Sequence, residues 1–323
     1  MAGGTPFSTP RAILIGYMFF QAPDPDEAER FLAENGLDAI EISLPINADR
    51  IRDSEKKRII ACGRRLPGCV ALHDVIPLAL AHRQLEFRRK LIDRLIEDVL
   101  VAREAGIRII TLHTSCTRTK RSLERDWRVG STKWLARALD RDVTPDYEES
   151  VRIMADALRE LAPYCTSQTA DGQARNNSRS QNPNAKIEVA LAVENNFRDT
   201  RFFGRRIDSV NDVLDVLDRA NAPAAQMCFD VFKAFSTEKS IPESIARAGS
   251  RIVNVHASDA EPAETAFFRR RAAVGKGLID WTAVMSALRT IHYTGPVDFE
   301  MMHSVGDVAE SARRLREILA EIG

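Results

Sequence analysis

The 323-residue chain predicts a single-domain (β/α)8 barrel, a TIM barrel, spanning 1–323. Eight short apolar runs suit buried strands, and capped amphipathic stretches lie between them. A hydrophobic content of 44% is enough to bury a large core. Short buried strands alternating with helices call for a parallel sheet with helices outside, and eight such units fit a closed barrel better than an open doubly wound sheet.

The runs are AILIGYMF (12–19), LDAIEIS (37–43), CVALHD (69–74), IRIITLH (107–113), IEVALAVE (187–194), AQMCFD (225–230), RIVNVHA (251–257) and PVDFEM (296–301). The first helix is punctuated at both ends: Asp24 as N-cap, Pro25 at the first helical position, Glu27 in the first turn and Gly36 just past the end. Further helical patterns cover 86–106, 147–164, 209–220, 243–249, 280–291 and 307–322, with a weaker one over 51–65. Two stretches exceed the basic unit. A long loop after strand four (115–146) belongs to the top face, where it can cover a site; a polar, turn-rich insertion before strand five (165–186) belongs to the bottom face.

Lys plus Arg and Asp plus Glu number 46 each, so no global charge points to nucleic acid or to an anionic membrane. No run approaches the ~20 apolar residues of a membrane span. The N-terminal segment lacks a basic region and a cleavage-type ending and is read as leading into the first strand. Five scattered cysteines without CxxC spacing look like reduced thiols, which makes a cytoplasmic protein the expectation.

In such a barrel the chemistry sits where strands end. Strand five ends at Glu194, strand six at Asp230, strand seven at His256 and strand eight at Glu300. The spacings of 36, 26 and 44 residues each amount to about one βα unit, so one ligand-type side chain per consecutive strand faces the same mouth. Singly, a strand-end carboxylate is more often a helix cap. Jointly, the four predict a divalent-metal site, since a buried unpaired carboxylate costs several kcal/mol. Three carboxylates and one imidazole suit manganese first, with magnesium or cobalt as alternatives.

The segments VENNF, CFDVFKAF, VNVHASDA, VGKGLIDW and VDFEM, in this order, resemble the xylose-isomerase-like barrel superfamily of sugar phosphate isomerases and epimerases. That resemblance covers almost the whole chain. It implies one divalent metal held by Glu194, Asp230, His256 and Glu300, and a small carbohydrate as partner. Glu194 and Glu300 would also be catalytic, one removing a proton beside a carbonyl and the other returning it. It further implies Arg271 as a substrate clamp, against the alternative of a solvated basic run. Where the family often has histidine, three residues after the strand-six aspartate, this chain has Lys233, which suits an oxyanion contact or an acid. His73 and His113, ending strands three and four, are either substrate contacts or structural. The zinc apurinic endonucleases use histidines at such places, but a three-zinc cluster needs ligands where this chain has Lys233, Arg269 and Arg271. Association into homo-oligomers, a second subunit closing the mouth, is a family expectation.

The resulting reading is a metal-dependent isomerase or epimerase of a keto-sugar or related polyhydroxy carbonyl compound. A lyase sharing the first step is the alternative, dehydrating an inosose or dehydroshikimate or cleaving a C-glycoside. Near-zero net charge counts against an endonuclease-like hydrolase. A non-catalytic sugar-binding barrel has no need of two glutamates at the metal. Inert burial is expected of Cys116, whereas Trp127 and Trp134 either cover a substrate or anchor their own loop.

Overall fold

The computed structural model describes residues 12–44, 51–74, 85–114, 147–166, 188–196, 207–262, 270–300 and 304–323. Cys116, Trp127 and Trp134, the loop 115–146, Arg269 and most of the polar insertion lie outside these residues.

In chain order the elements are β1 (Leu14–Phe19), α1 (Pro25–Asn35), β2 (Ala39–Ser43), α2 (Asp53–Arg65), β3 (Cys69–Asp74), α3 (Leu85–Ala105), β4 (Ile109–His113) and α4 (Tyr147–Leu161). They continue with β5 (Ala190–Glu194), α5 (Val210–Ala220), β6 (Ala225–Asp230), α6 (Val231–Thr237), α7 (Ile241–Ala248) and β7 (Ile252–Ala257). A two-stranded ribbon, β8 (Asp259–Ala260) and β9 (Arg271–Ala272), precedes α8 (Trp281–Thr290), β10 (Pro296–Phe299) and α9 (Val305–Glu321). β1 to β7 and β10 are parallel and close into a barrel, β1 pairing with both β2 and β10. The expected fold is thus the observed one.

Closure sorts side chains by the two-residue period of a strand. One face carries Ile40, Ile42, Leu72, Ile110, Leu112, Leu191, Val193, Met227, Phe229, Val255, Val297 and Phe299, which join the main core against the surrounding helices. Each such burial contributes about 1.5–3 kcal/mol. The opposite face fills the barrel: Ala71, Ile109, Ala192 and Cys228 form a separate small cluster. Two residues further along β3, β5 and β6, on that same face, come His73, Glu194 and Asp230.

Helix starts follow the caps. Asp24 accepts from the amides of Asp26 and Glu27, Ser209 and Asp212 form a reciprocal capping box on α5, and Gly36 ends α1 at φ 62°. No described helix is long and apolar enough to cross a membrane.

Two local features differ from the sequence expectation. VFKAFST forms α6 directly after β6, short because Glu238 already has extended backbone. The helix expected over 243–249 starts at Ile241, because the Ser240 hydroxyl accepts from the Glu243 amide and Pro242 occupies its first turn.

α2 and α3 pack closely at Gly63, where an added Cβ would lie 2.3 Å from the Ala105 carbonyl oxygen and 2.8 Å from its Cβ. Gly63→Ala gains about 1 kcal/mol of helix propensity. Overpacking against a backbone carbonyl costs about 1–3 kcal/mol, so net destabilisation in a denaturant titration is expected. An unchanged midpoint would contradict this close approach.

Candidate metal centre at the C-terminal mouth of the barrel

The four strand-end residues converge. Glu194, Asp230, His256 and Glu300 each offer a ligand atom, all within 4.8 Å of one another, and all four are buried. Glu194 ends β5, Asp230 ends β6, His256 is the penultimate residue of β7, and Glu300 lies one residue past β10. The ladders set this convergence: Asp230 stands in register with His256, and His113 with Glu194.

The VENNF motif explains how Asp230 is held. Asn195 donates from Nδ2 to the Asp230 carbonyl (3.0 Å) and accepts the Asp230 amide at Oδ1 (2.8 Å), tying the tops of β5 and β6 together. Asp230 Oδ1 caps α6 by accepting from the Lys233 amide at 2.8 Å. Its Oδ2 faces the cluster, 3.3 Å from both Lys233 Nζ and Arg271 Nη2. Cap and candidate ligand are therefore the same residue, used through different oxygens.

Two cations lie against the carboxylates. Lys233 Nζ is 2.6 Å from Glu194 Oε2, and Arg271 Nη2 is 2.8 Å from Glu300 Oε2. Arg271 also donates to Ser258 Oγ (2.8 Å) and stacks its guanidinium 4.8 Å from the Phe232 ring centre. Ser258 in turn donates to the Glu300 carbonyl at 2.7 Å. Arg271 is thus engaged with the acidic cluster rather than projecting as a solvated base. Its ribbon is anchored by Asp259, a buried residue that sequence reading missed. Asp259 accepts from the amides of Gly275 (2.9 Å) and Ile279 (3.0 Å) and from Trp281 Nε1 (3.2 Å). The turn VGKG needs its glycines: Gly275 has φ +84°, and a Cβ on Gly277 would fall 2.3 Å from Asp259 Oδ1.

Charge sets the protonation states. Burial raises the Glu194 carboxyl, but Lys233, His113 and His256 outweigh it and hold the group well below the usual range. The same opposition at Glu300, with Arg271 and Lys233 dominant over burial, lowers that group too. Burial raises Asp230 against its cations. For Lys233 burial is again outweighed, here by Glu194 and Asp230, so the ammonium stays charged. Burial opposes a proton on His256, but a hydrogen bond to the Cys228 sulfur and the negative charges of Glu41 and Glu194 raise it well above its usual range.

His73 and His113 border this cluster. Their Nε2 atoms are 2.7 Å apart, and His113 Nε2 is 2.9 Å from Glu194 Oε2. His73 Nδ1 is 3.2 Å from Met18 Sδ. The eight residues expected from sequence at the site, Glu194, Asp230, His256, Glu300, Lys233, Arg271, His73 and His113, therefore lie in one contiguous cluster. The largest omission was Glu41, whose carboxylate lies fully buried inside the barrel at 2.7 Å from His256 Nε2. Its signal was a lone charge in the apolar strand AIEIS.

The donor set fits a divalent ion. Glu194, Asp230 and Glu300 face two cations, Lys233 and Arg271, and Glu41 faces His256, so these four buried carboxylates exceed the fixed positive charge by about one with His256 protonated and by about two once it gives up that proton. One divalent ion on mostly oxygen donors balances that charge.

A closed eight-stranded barrel with a carboxylate and imidazole cluster at its C-terminal mouth defines a class in which strand ends carry the site. The chain belongs to the xylose isomerase-like TIM barrel family, whose model matches residues 30–318. A stretch of 121 residues is 28% identical to L-ribulose 3-epimerase of Methylomonas sp. (strain DH-1), covering 38% of this chain and 36% of that protein. The match thus spans about a third of that relative's length. Among solved structures, an L-ribulose 3-epimerase superposes with a TM-score of 0.65 at 15% identity, covering 96% of each chain. D-allulose 3-epimerase from Methylomonas sp. gives 0.63 at 17% identity, covering 96% of this chain and 98% of the other. The 3-keto-D-glucoside 4-epimerase of E. coli gives 0.62 at 15%, again over 96% and 98%. At these identities the structures share the fold.

Burial, with a smaller contribution from His113, pushes the His73 imidazole down to about 4 from 6.5. Between those values the unfolded chain binds the extra proton, so stability is complete above 6.5 and falls as the pH drops toward 4. His73→Asn is expected to shrink the difference in unfolding free energy between about pH 7 and about pH 5. An equal difference in both proteins would contradict a buried neutral imidazole.

Proposed function

We propose that this protein is a divalent-metal-dependent isomerase or epimerase acting on a keto-sugar or a related polyhydroxy carbonyl compound. The observation that carries the reading is the buried four-residue cluster at the barrel mouth, with more carboxylates around it than fixed cations. Glu194, Asp230, His256 and Glu300 would hold the ion, manganese by preference, with magnesium or cobalt as alternatives for this oxygen-rich set. When bound, the ion would supply Lewis-acid polarisation of a substrate carbonyl and stabilisation of the negative charge that proton removal beside it creates. The family membership and the 3-epimerase and 4-epimerase names of the similar proteins support the carbohydrate assignment.

Glu194 and Glu300 are the acid–base pair. β6 and β7 separate their strands in the closed barrel, so the two carboxylates approach the mouth from different sides. Both are ionised at neutral pH and competent to take a proton from a carbon next to a carbonyl; the one that takes it is then an acid, as is its partner when returning one to the other face. Lys233 and Arg271 hold these glutamates in place and stand where substrate oxygens would meet them, with His73 and His113 at the edge of the same cluster.

Elemental analysis of protein purified without a metal-affinity tag should find about one divalent ion per chain, lost in Asp230→Ala. Absence of any ion after supplementation would overturn the reading. With a keto-sugar in D₂O, solvent deuterium should enter the carbon next to the carbonyl, and Glu194→Gln or Glu300→Gln should slow that exchange by about 10²–10⁴-fold. A product lighter by one water would move the assignment to the elimination branch.

A further inference from the structure

Glu41 belongs to β2, yet its partners come from strands across the barrel. Thr111 Oγ1 donates to its Oε1 at 2.7 Å, and Asn254 Nδ2 donates to the same oxygen at 3.3 Å. Asn254 Nδ2 also lies 3.0 Å from Thr111 Oγ1, so β4 and β7 form one braced polar unit around that oxygen. Oε2 is left to face His256 Nε2 at 2.7 Å. A carboxylate already receiving two donors in a fully buried position acts as an acceptor, so Nε2, which it faces, carries a proton; Nδ1 has an equally close carboxylate neighbour, and what separates the two nitrogens is that only Nδ1 faces the Glu194, Asp230 and Glu300 cluster. The other ring nitrogen, Nδ1, points the opposite way, 2.7 Å from Glu194 Oε1 and 3.9 Å from Glu300 Oε2.

We propose that Glu41 is a positioning residue that holds the Nε2 proton of His256 and so reserves Nδ1 as the nitrogen offered to a divalent cation at Glu194, Asp230 and Glu300. The inference rests on the metal-site reading above and adds to it the residue that sets the tautomer and angle of the one nitrogen ligand. The physical reason is general: an imidazole presents a lone pair on one nitrogen only while the other is protonated, and a fixed acceptor behind the ring decides which. It also accounts for a fourth buried carboxylate beside a cluster that already holds three, because the Glu41 charge raises the basicity of the ligand nitrogen.

The test compares Mn²⁺ affinity, by competition with a fluorescent chelator, for the wild type, Glu41→Gln and Thr111→Val. Glu41→Gln is expected to weaken binding about 10–100-fold, and Thr111→Val, which removes one brace without touching His256, to weaken it less. Circular dichroism establishes that the variants are folded. Independently, ¹⁵N spectra of histidine-labelled wild type loaded with Mg²⁺ should show His256 protonated at Nε2. A folded Glu41→Gln protein with wild-type affinity overturns the inference. So does a His256 proton on Nδ1, which decides the matter even where Glu41→Gln does not fold. A wild type that binds neither ion overturns it through the metal-site reading itself, a result distinct from a variant that binds as the wild type does.

Discussion

Everything at the mouth of this barrel follows from negative charge placed where water is scarce. Four carboxylates, Glu41, Glu194, Asp230 and Glu300, are at most 6% exposed. Any of them left alone would cost several kcal/mol. The fold therefore has to deliver positive charge and hydrogen-bond donors to the same small volume. Lys233 arrives on α6, the short helix that Asp230 itself caps. Arg271 arrives on β9, in a ribbon anchored by Asp259 and packed over Phe232. These two irregular additions to the basic unit are the electrostatic complement of the strand ends.

The regular part of the fold makes such a concentration of charge durable. Below the cluster the barrel is sealed by Ala71, Ile109, Ala192 and Cys228. Burial pushes the Cys228 thiol far up, so it stays neutral and is part of this apolar floor. A low-dielectric floor strengthens each ion pair above it, and parallel register keeps the partners at fixed height. Asn195 shows the economy of the arrangement: one amide bridges the tops of β5 and β6 and so sets the separation of Glu194 from Asp230.

Much of this was legible in the residue string, for an identifiable reason. A buried parallel strand is an unbroken apolar run, so a ligand-type residue at its end is conspicuous, and Glu194, Asp230, His256 and Glu300 stood out in that way. Residues whose role depends on a partner far along the chain did not. Glu41 acts on His256, 215 positions away, and inside AIEIS it looks like an ordinary alternation. α6 was missed because VFKAFST is aromatic and short, and because the joint metal-site pattern was preferred to the cap reading at Asp230, although the residue serves as both cap and candidate ligand. Asp259 was invisible for a third reason: its acceptor role is fixed by a turn that returns 16 to 22 residues later.

Lys233 is where the chain departs from the pattern it resembles, and the geometry shows what the exchange does. An imidazole there offers an acceptor; an ammonium offers only donors and a permanent charge. Seated 2.6 Å from Glu194, it makes the pairing of the two glutamates symmetrical, Glu194 with Lys233 and Glu300 with Arg271. Both glutamates are lowered by that pairing, so neither is singled out by the protein as the resident acid. In the proposed reaction this symmetry suits a proton removed on one side and returned on the other, with the substrate's own stereochemistry deciding which glutamate acts first. The cations lower the basicity of both groups, and that loss is offset only if the acidity of the substrate C–H is raised by as much. This is why the cluster's surplus charge, suited to a divalent ion, and its paired glutamates belong to a single arrangement.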